Sequence, residues 1–360
     1  MNGLWLVADR EIRTRIRTRG FLISLGLSAL LVVALAFVPK LLGGKDAYEV
    51  AVVGAVPVAA QDVTYTKYPD EAAARKAVSG GKADAALIDD QKVVSEGELD
   101  QRLGLLLESA HREGKIKASG LVITPLQVET GATAQYQSVR TGIATLLVMV
   151  LFFLLIYSSM YVAMGVVEEK GSRIVEILLA AVRPWQLLGG KIVGLGLLGL
   201  LNLAVVIGGG LIAASATGLA ADFPPGMGGI VISTVVWFVL GYAFFSALAA
   251  AFGSLVSRQE EVNSVLTPMT MLMTLTYLVA YFAAVEPEGT LARILSVVPP
   301  FSSMVMPVRT AAADVPIVEI VLSAGLMVVA VVAVLFAGAR VYNRAVVRTG
   351  ARVKLAEVLR

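Results

Sequence analysis

Residues 141–166 read TGIATLLVMVLFFLLIYSSMYVAMGV, without one charged side chain. A helix needs about 20 apolar residues to cross ~30 Å of hydrocarbon, so this stretch is long enough to span a bilayer. Five more of the same kind lie at about residues 20–42, 192–217, 229–253, 263–285 and 317–339. Six such runs predict an all-α polytopic membrane protein with six transmembrane helices.

Composition agrees. The 360 residues are 57% hydrophobic and 16% charged, with a mean hydropathy of +0.79, whereas a soluble domain carries about 25% charged residues. The net charge of +3 does not point to nucleic acid, because the basic residues sit at the edges of the apolar runs. Arg10, Arg13, Arg15, Arg17 and Arg19 precede the first run, and Arg340, Arg344, Arg348, Arg352, Lys354 and Arg360 follow the last. Lys170, Arg173, Arg183 and Lys191 follow the second, while residues 218–228 hold no Lys or Arg. The positive-inside bias therefore predicts cytoplasmic N and C termini. The Arg-rich start, the apolar run from Phe21 and the pair Ala34 and Ala36 also imitate a signal peptide, but the run continues to Leu42 and reads as an uncleaved anchor. With no cysteine and a single histidine, His111, disulfides, thiolate metal sites and most histidine-based catalysis are excluded.

Between the first two spans the chain turns polar, which predicts an inserted α/β extracytoplasmic domain over residues 43–140. Runs at 48–53, 63–68, 83–88 and 121–128 have strand character, and Asp70 is placed to cap a helix through Val78 that Gly80 and Gly81 end. Leu99, Leu103, Leu106 and Ala110 recur at helical spacing. The organisation is then a cytoplasmic amphipathic helix (1–19), the first span (20–42), the insertion (43–140), the remaining five spans (141–342) and a basic cytoplasmic tail (343–360).

Four segments stand out. In residues 3–18, Trp5, Ala8, Ile12 and Ile16 share a helical face with Arg10, Arg13 and Arg17 around it, the pattern of a helix lying on lipid headgroups. In residues 167–190, Glu169 pairs with Arg173 and Arg173 with Glu176 on a helix whose other face is Ile174, Ile177 and Leu178; it suits docking to a cytosolic partner or rest on the headgroups. In the fifth span Asn263, Thr267, Thr270, Thr274 and Tyr277 share one face. Polar groups are costly in lipid, so this stripe is expected to point inward and line a path, with Tyr157, Ser158, Tyr161 and Asn202 as companions, or to hold helices together, a dimer seam included. Residues 286–316 are too apolar for a plain loop and read as short helices broken by Pro299-Pro300 and Pro307.

The run V-x-E-E-K-x-S-R-I-x-E-I-L-L at 166–179, followed by R-P-x-Q-L-L-x-G-K at 183–191, resembles the type-2 ABC transporter permease family, in its NatB-like sodium-efflux branch. Glu71–Ala77 with Gly81–Ala85, Gly253–Val256 with Glu260 and Glu261, and Pro299-Pro300-Phe301-Ser302 with Pro307 and Arg309 fit the same family. The resemblance implies a bacterial inner-membrane half-transporter: two six-span copies, a homodimer favoured, with two cytosolic ABC ATPase subunits that hold the ATP and Mg²⁺. It implies coupling to the ATPase through Glu168, Glu169, Lys170, Ser172, Arg173, Glu176, Arg183, Glu260 and Glu261, and an external re-entrant gate at Pro299, Pro300, Phe301, Pro307 and Arg309. No cofactor is expected in this chain. Consistently, no nucleotide-binding G-x-x-x-x-G-K-[ST] occurs: Lys191 is followed by Ile192 and Lys82 by Ala83.

The resemblance implies sodium efflux, with export of drugs, peptides or lipids, or a non-transporting ATPase-coupled role, as alternatives. A secondary transporter would carry acidic or histidine residues in mid-span, and none is found there. An enzyme would bring carboxylates together, but on a helix the adjacent pairs Glu168-Glu169 and Glu260-Glu261 diverge by about 100°.

Overall fold

The computed structural model describes residues 3–42, 47–54, 56, 62–89, 92–96, 99, 101–119, 136–172 and 182–345. In chain order the elements are α1 (Gly3–Ile16), α2 (Arg19–Leu42), β1 (Tyr48–Val53), β2 (Val63–Lys67), α3 (Glu71–Ser79), β3 (Ala85–Ile88), β4 (Lys92–Val94), α4 (Gln101–Ala118), α5 (Gln137–Gly171), α6 (Pro184–Thr217), α7 (Met227–Gly253), α8 (Val262–Val285), α9 (Thr290–Leu295), α10 (Ser302–Ala312) and α11 (Ile317–Ala345). They form two compact units, residues 37–129 and the rest.

In the smaller unit the strands run in the order β2-β1-β3-β4, with β1 parallel to β2 and β3, and β3 antiparallel to β4. Alternation along β1 sorts its side chains onto two faces. Tyr48, Val50 and Val52 pack with Leu103 and Leu107 of α4, while Ala51 packs with Ala74, Ala77 and Val78 of α3. The Asp70 carboxylate accepts a hydrogen bond from the Ala73 amide at 2.7 Å and starts α3. The expected strand at 121–128 lies outside the described residues.

In the larger unit, α5, α6, α7, α8 and α11 are each long and apolar enough to cross a membrane. The pair α1 and α2, bent by 73°, makes a sixth if it is one broken span. The core centres on α7, where Trp237, Phe238 and Phe245 are buried. The short helix α10 is buried along most of its length and packs against α5, α7, α8 and α11. It runs through Pro307 rather than breaking there, because helix packing on all sides outweighs the one backbone hydrogen bond a proline removes. By contrast α11 keeps an exposed apolar face, with Val329 66% and Phe336 76% exposed, as lipid contact requires.

The face of α1 that packs inward is not the whole of the expected apolar face. Ala8 is buried, but Trp5 is 54% exposed, and the buried face of α1 is Val7, Ala8 and Glu11. That face lies against glycines of α6. A Cβ on Gly190 would meet the Leu4 carbonyl oxygen and the Val7 Cβ, each at 2.6 Å, and one on Gly194 would meet the Ala8 carbonyl oxygen at 2.8 Å. Missing side chains let the two backbones approach. Gly190→Ala is accordingly expected to push α1 off α6, read as severalfold faster trypsin cleavage at Arg15, Arg17 or Arg19; an unchanged rate would show that the close approach is dispensable.

Candidate functional site

The C-terminal end of α5 is where the charged residues gather. Glu169 accepts from Arg10 of α1 and lies 3.2 Å from the Lys191 ammonium of α6. Lys191 also donates to Glu11 at 2.9 Å. Arg15 lies 3.6 Å from Glu11 and 3.5 Å from Glu168, with its guanidinium over the Tyr161 ring at 5.3 Å from the centroid. The side chains of Lys191, Glu11 and Glu169 are only 2%, 6% and 10% exposed. Charges this enclosed persist only when paired. Burial works to raise the Glu11 carboxyl, but the Lys191 ammonium and Arg10 outweigh it and hold it below its ordinary value near 4.5.

A second staple joins the same end of α5 to the segment after α7. The buried Lys170 ammonium donates to the Ser254 carbonyl at 2.6 Å. Gln259 donates to Glu168 at 3.2 Å, and a Cβ on Gly171 would come within 2.9 Å of the Ser257 carbonyl oxygen. The structure therefore brings Glu168, Glu169, Lys170 and Ser172 next to the segment that leads to Glu260 and Glu261. Arg173 and Glu176 lie outside the described residues. Glu169 is engaged by Arg10 and Lys191, the expected Glu169–Arg173 pair falls on a residue outside the described ones, and Glu169 and Lys170 are buried. Ser172 turns its hydroxyl back to the Glu168 carbonyl at 2.7 Å. Arg183, Gln259 and Glu260 are exposed, and Glu261 is partly so.

The residues expected to line a path fall into two separate places. The α8 stripe does not point into the chain: Asn263, Thr267 and Thr274 are exposed, and Thr270 and Tyr277 are half-buried. The inward face belongs to Leu266, Met269, Met273 and Ala280. Thr267, Thr270 and Thr274 hydroxyls bond carbonyls of their own helix at 3.0, 2.9 and 2.9 Å, which satisfies them without any partner helix. Tyr157, Ser158, Tyr161 and Asn202 instead cluster between α5 and α6, where the Tyr157 and Tyr161 hydroxyls are 2.6 Å apart. They line two adjoining cavities, walled by α2, α5 and α6 with Arg15, to which α8 contributes nothing among the described residues.

Arg309, expected at an external gate, is 3% exposed and acts as an internal clamp. It donates to the Pro287 carbonyl at 2.9 Å, the Ser296 hydroxyl at 2.6 Å and the Glu319 carboxylate at 2.9 Å. One guanidinium thus fixes the end of α8, α9 and the start of α11 to α10. Pro299, Pro300 and Phe301 form the turn between α9 and α10.

Sequence reading missed Arg10, Glu11 and Arg15 as members of an internal cluster. The available signal was Glu11, an acid in an arginine-rich helix, one turn after Val7 and on the same helical face. Among the described residues no three His, Cys, Asp or Glu side chains form a group fit to hold a metal ion.

A family model described as ABC-2 family transporter protein matches residues 19–340. The uncharacterized protein YhaP of Bacillus subtilis (strain 168) is 27% identical, over 97% of this chain and 96% of that relative. The uncharacterized protein MJ1024 of Methanocaldococcus jannaschii is 22% identical, over 91% of this chain and 88% of its own length.

Proposed function

The chain belongs to the ABC-2 transporter family, and from that membership we propose that it is the permease subunit of an ATP-driven exporter. The family implies a membrane permease that associates with an ABC ATPase. Our reading adds two copies of this chain, two of the ATPase holding ATP and Mg²⁺, an inner-membrane location with cytoplasmic termini, and the α/β unit outside the cytoplasm.

The observation that carries the coupling scheme is the double staple at the end of α5. When the ATPase pair closes, it would push on residues 173–183 and on the exposed Glu260. Because Glu169 is locked to Arg10 and Lys191, and Lys170 to Ser254, the push would reach α1, α5, α6 and the end of α7 together. Buried ion pairs resist independent movement of their helices, since separation would strand a charge in a dry site.

Sodium efflux rests on the resemblance to the NatB-like branch. A hard cation needs several oxygen ligands, and the α8 hydroxyls would be the donors available to it. Export of an amphiphile, a drug, peptide or lipid, is the second reading, favoured by the apolar cleft beside Asn202. A non-transporting role would show itself as ATP turnover by the reconstituted complex without movement of any substrate.

The test is a tagged pull-down from native membranes in mild detergent. Recovery of one Walker-A-containing subunit in near-equal amount is expected, and recovery of this chain alone would reopen the secondary-transporter and enzyme readings. Glu260→Lys, outside the buried cluster, is expected to reduce ATPase recovery about fivefold, or ~1 kcal/mol, with no change in melting temperature. Full recovery would remove Glu260 from the coupling surface.

A further inference from the structure

A cleft of about 500 Å³ lies between α2 on one side and α5 and α6 on the other. Its floor is Leu154 and Val206, each 5% exposed, and Asn202, 4% exposed. Its rim is Leu27, Leu31 and Phe153, at 63%, 45% and 53% exposure. All six sit in the middle third of their helices, so the cleft opens sideways from the bundle, toward where the acyl chains of a bilayer would be. No charged residue among those described lines it.

The polar groups that reach the cleft are almost all already bonded. Ser24 and Ser28 hydroxyls bond carbonyls of their own helix at 2.8 and 2.7 Å, and Tyr157 is paired with Tyr161. The exception is the Asn202 side-chain carbonyl oxygen, buried without a hydrogen-bond partner among the described residues. At Asn202 and Tyr157 the cleft meets a smaller space of about 20 Å³ that Ser158, Tyr161 and Arg15 also line, enough for about one water. A hydrocarbon chain alone would leave Asn202 unsatisfied, which is costly in an apolar site.

We infer that this cleft binds a neutral amphiphile, its hydrocarbon chain lying along α2, α5 and α6 and a hydroxyl at its polar end hydrogen-bonded to Asn202. A hydroxyl both donates and accepts, so it serves either end of the carboxamide. Neutrality follows from the surroundings: Arg15, the charged residue among those described that lines the adjoining space, is compensated by Glu11 and Glu168, and a charged head at this depth would be unpaired. The cleft volume is that of an ordinary small-molecule site, apolar walls with a few placed polar groups. The inference names a substrate class for the proposed exporter and rests on that reading only for export, not for binding.

The test uses the purified full chain in phosphatidylcholine nanodiscs and two photoactivatable probes, a hexadecanol carrying a mid-chain diazirine and the matching alkane without the hydroxyl. Mapped by mass spectrometry, alcohol adducts are expected in peptides holding residues 24–32, 146–160 and 202–206, displaced by unlabelled hexadecanol. Asn202→Leu is expected to cut alcohol labelling about tenfold and leave alkane labelling unchanged, at an unaltered melting temperature. Val206→Trp, which fills the floor, is expected to abolish labelling by both. Adducts spread equally over the exposed face of α11, or cleft labelling insensitive to Asn202→Leu, would overturn the proposal. With the ATPase present, cleft labelling without alcohol-stimulated ATP turnover would leave the site standing and count against a neutral amphiphile as the exported substrate. Stimulated turnover without cleft labelling would do the reverse.

Discussion

Lys191→Met is expected to destabilise the membrane unit by about 3–5 kcal/mol, the range for breaking a buried charge pair from one side. The ammonium lies 2.9 Å from Glu11 and 3.2 Å from Glu169, so its loss leaves two carboxylates facing each other in a site nearly closed to water. Arg10 still reaches both carboxylates but is 39% exposed and does not replace a charge seated between them. The fall should appear as a lowered melting temperature in nanodiscs and as release of α1, read by faster trypsin cleavage. The double variant Lys191→Met with Glu11→Gln should recover a large part of the loss, because it removes the stranded charge as well. An unchanged melting temperature in the single variant would mean that water reaches the cluster. Acid acts on the same contact. Glu11 is held below its ordinary value near 4.5, so its stabilising contribution is complete above that pH and declines only as pH falls below it.

Arg309→Met is expected to cost about 1–3 kcal/mol, the range for stranding a buried hydrogen-bond acceptor, for a different reason. Arg309 spans three elements with hydrogen bonds to Pro287, Ser296 and Glu319, and Met would fill its volume while removing the donor to the Pro287 carbonyl and the Ser296 hydroxyl and leaving the Glu319 carboxylate, 32% exposed, to water. Arg309→Lys keeps the charge but not the fork and should recover only part of the stability, since a single ammonium cannot reach all three acceptors. Thermal unfolding of the three proteins checks the order, wild type above Lys above Met. Equal stability of Lys and wild type would reduce Arg309 to a point charge.

The apolar runs were legible because a span is a local property: a helix that satisfies its own backbone must present apolar side chains over the bilayer thickness. The Asp70 cap of α3 was legible for the same reason, three residues separating donor and acceptor. The ion cluster was not. Arg10 and Glu169 are 159 residues apart and Lys191 and Glu11 are 180 apart, and nothing in the spacing of Glu169 distinguishes a bond to Arg173 from one to Arg10. The α8 stripe shows the same boundary. Periodicity determined that Asn263, Thr267, Thr270, Thr274 and Tyr277 share a face; only packing decided that this face turns outward, because the apolar side of α8 had more to gain from the core. Pro307 reads as a helix breaker alone and sits inside α10 when packed.

By itself, then, the sequence determined the membrane class, the polar insertion between the first two spans and the resemblance at residues 166–191. Tertiary structure decided the partner of each buried charge, the outward turn of the α8 stripe, and the separation of Asn202 and its tyrosine neighbours from that stripe. The physical reason is range: hydrogen bonds within a helix and burial against lipid act on neighbours along the chain, whereas ion pairs and helix contacts are chosen among residues that only folding brings together.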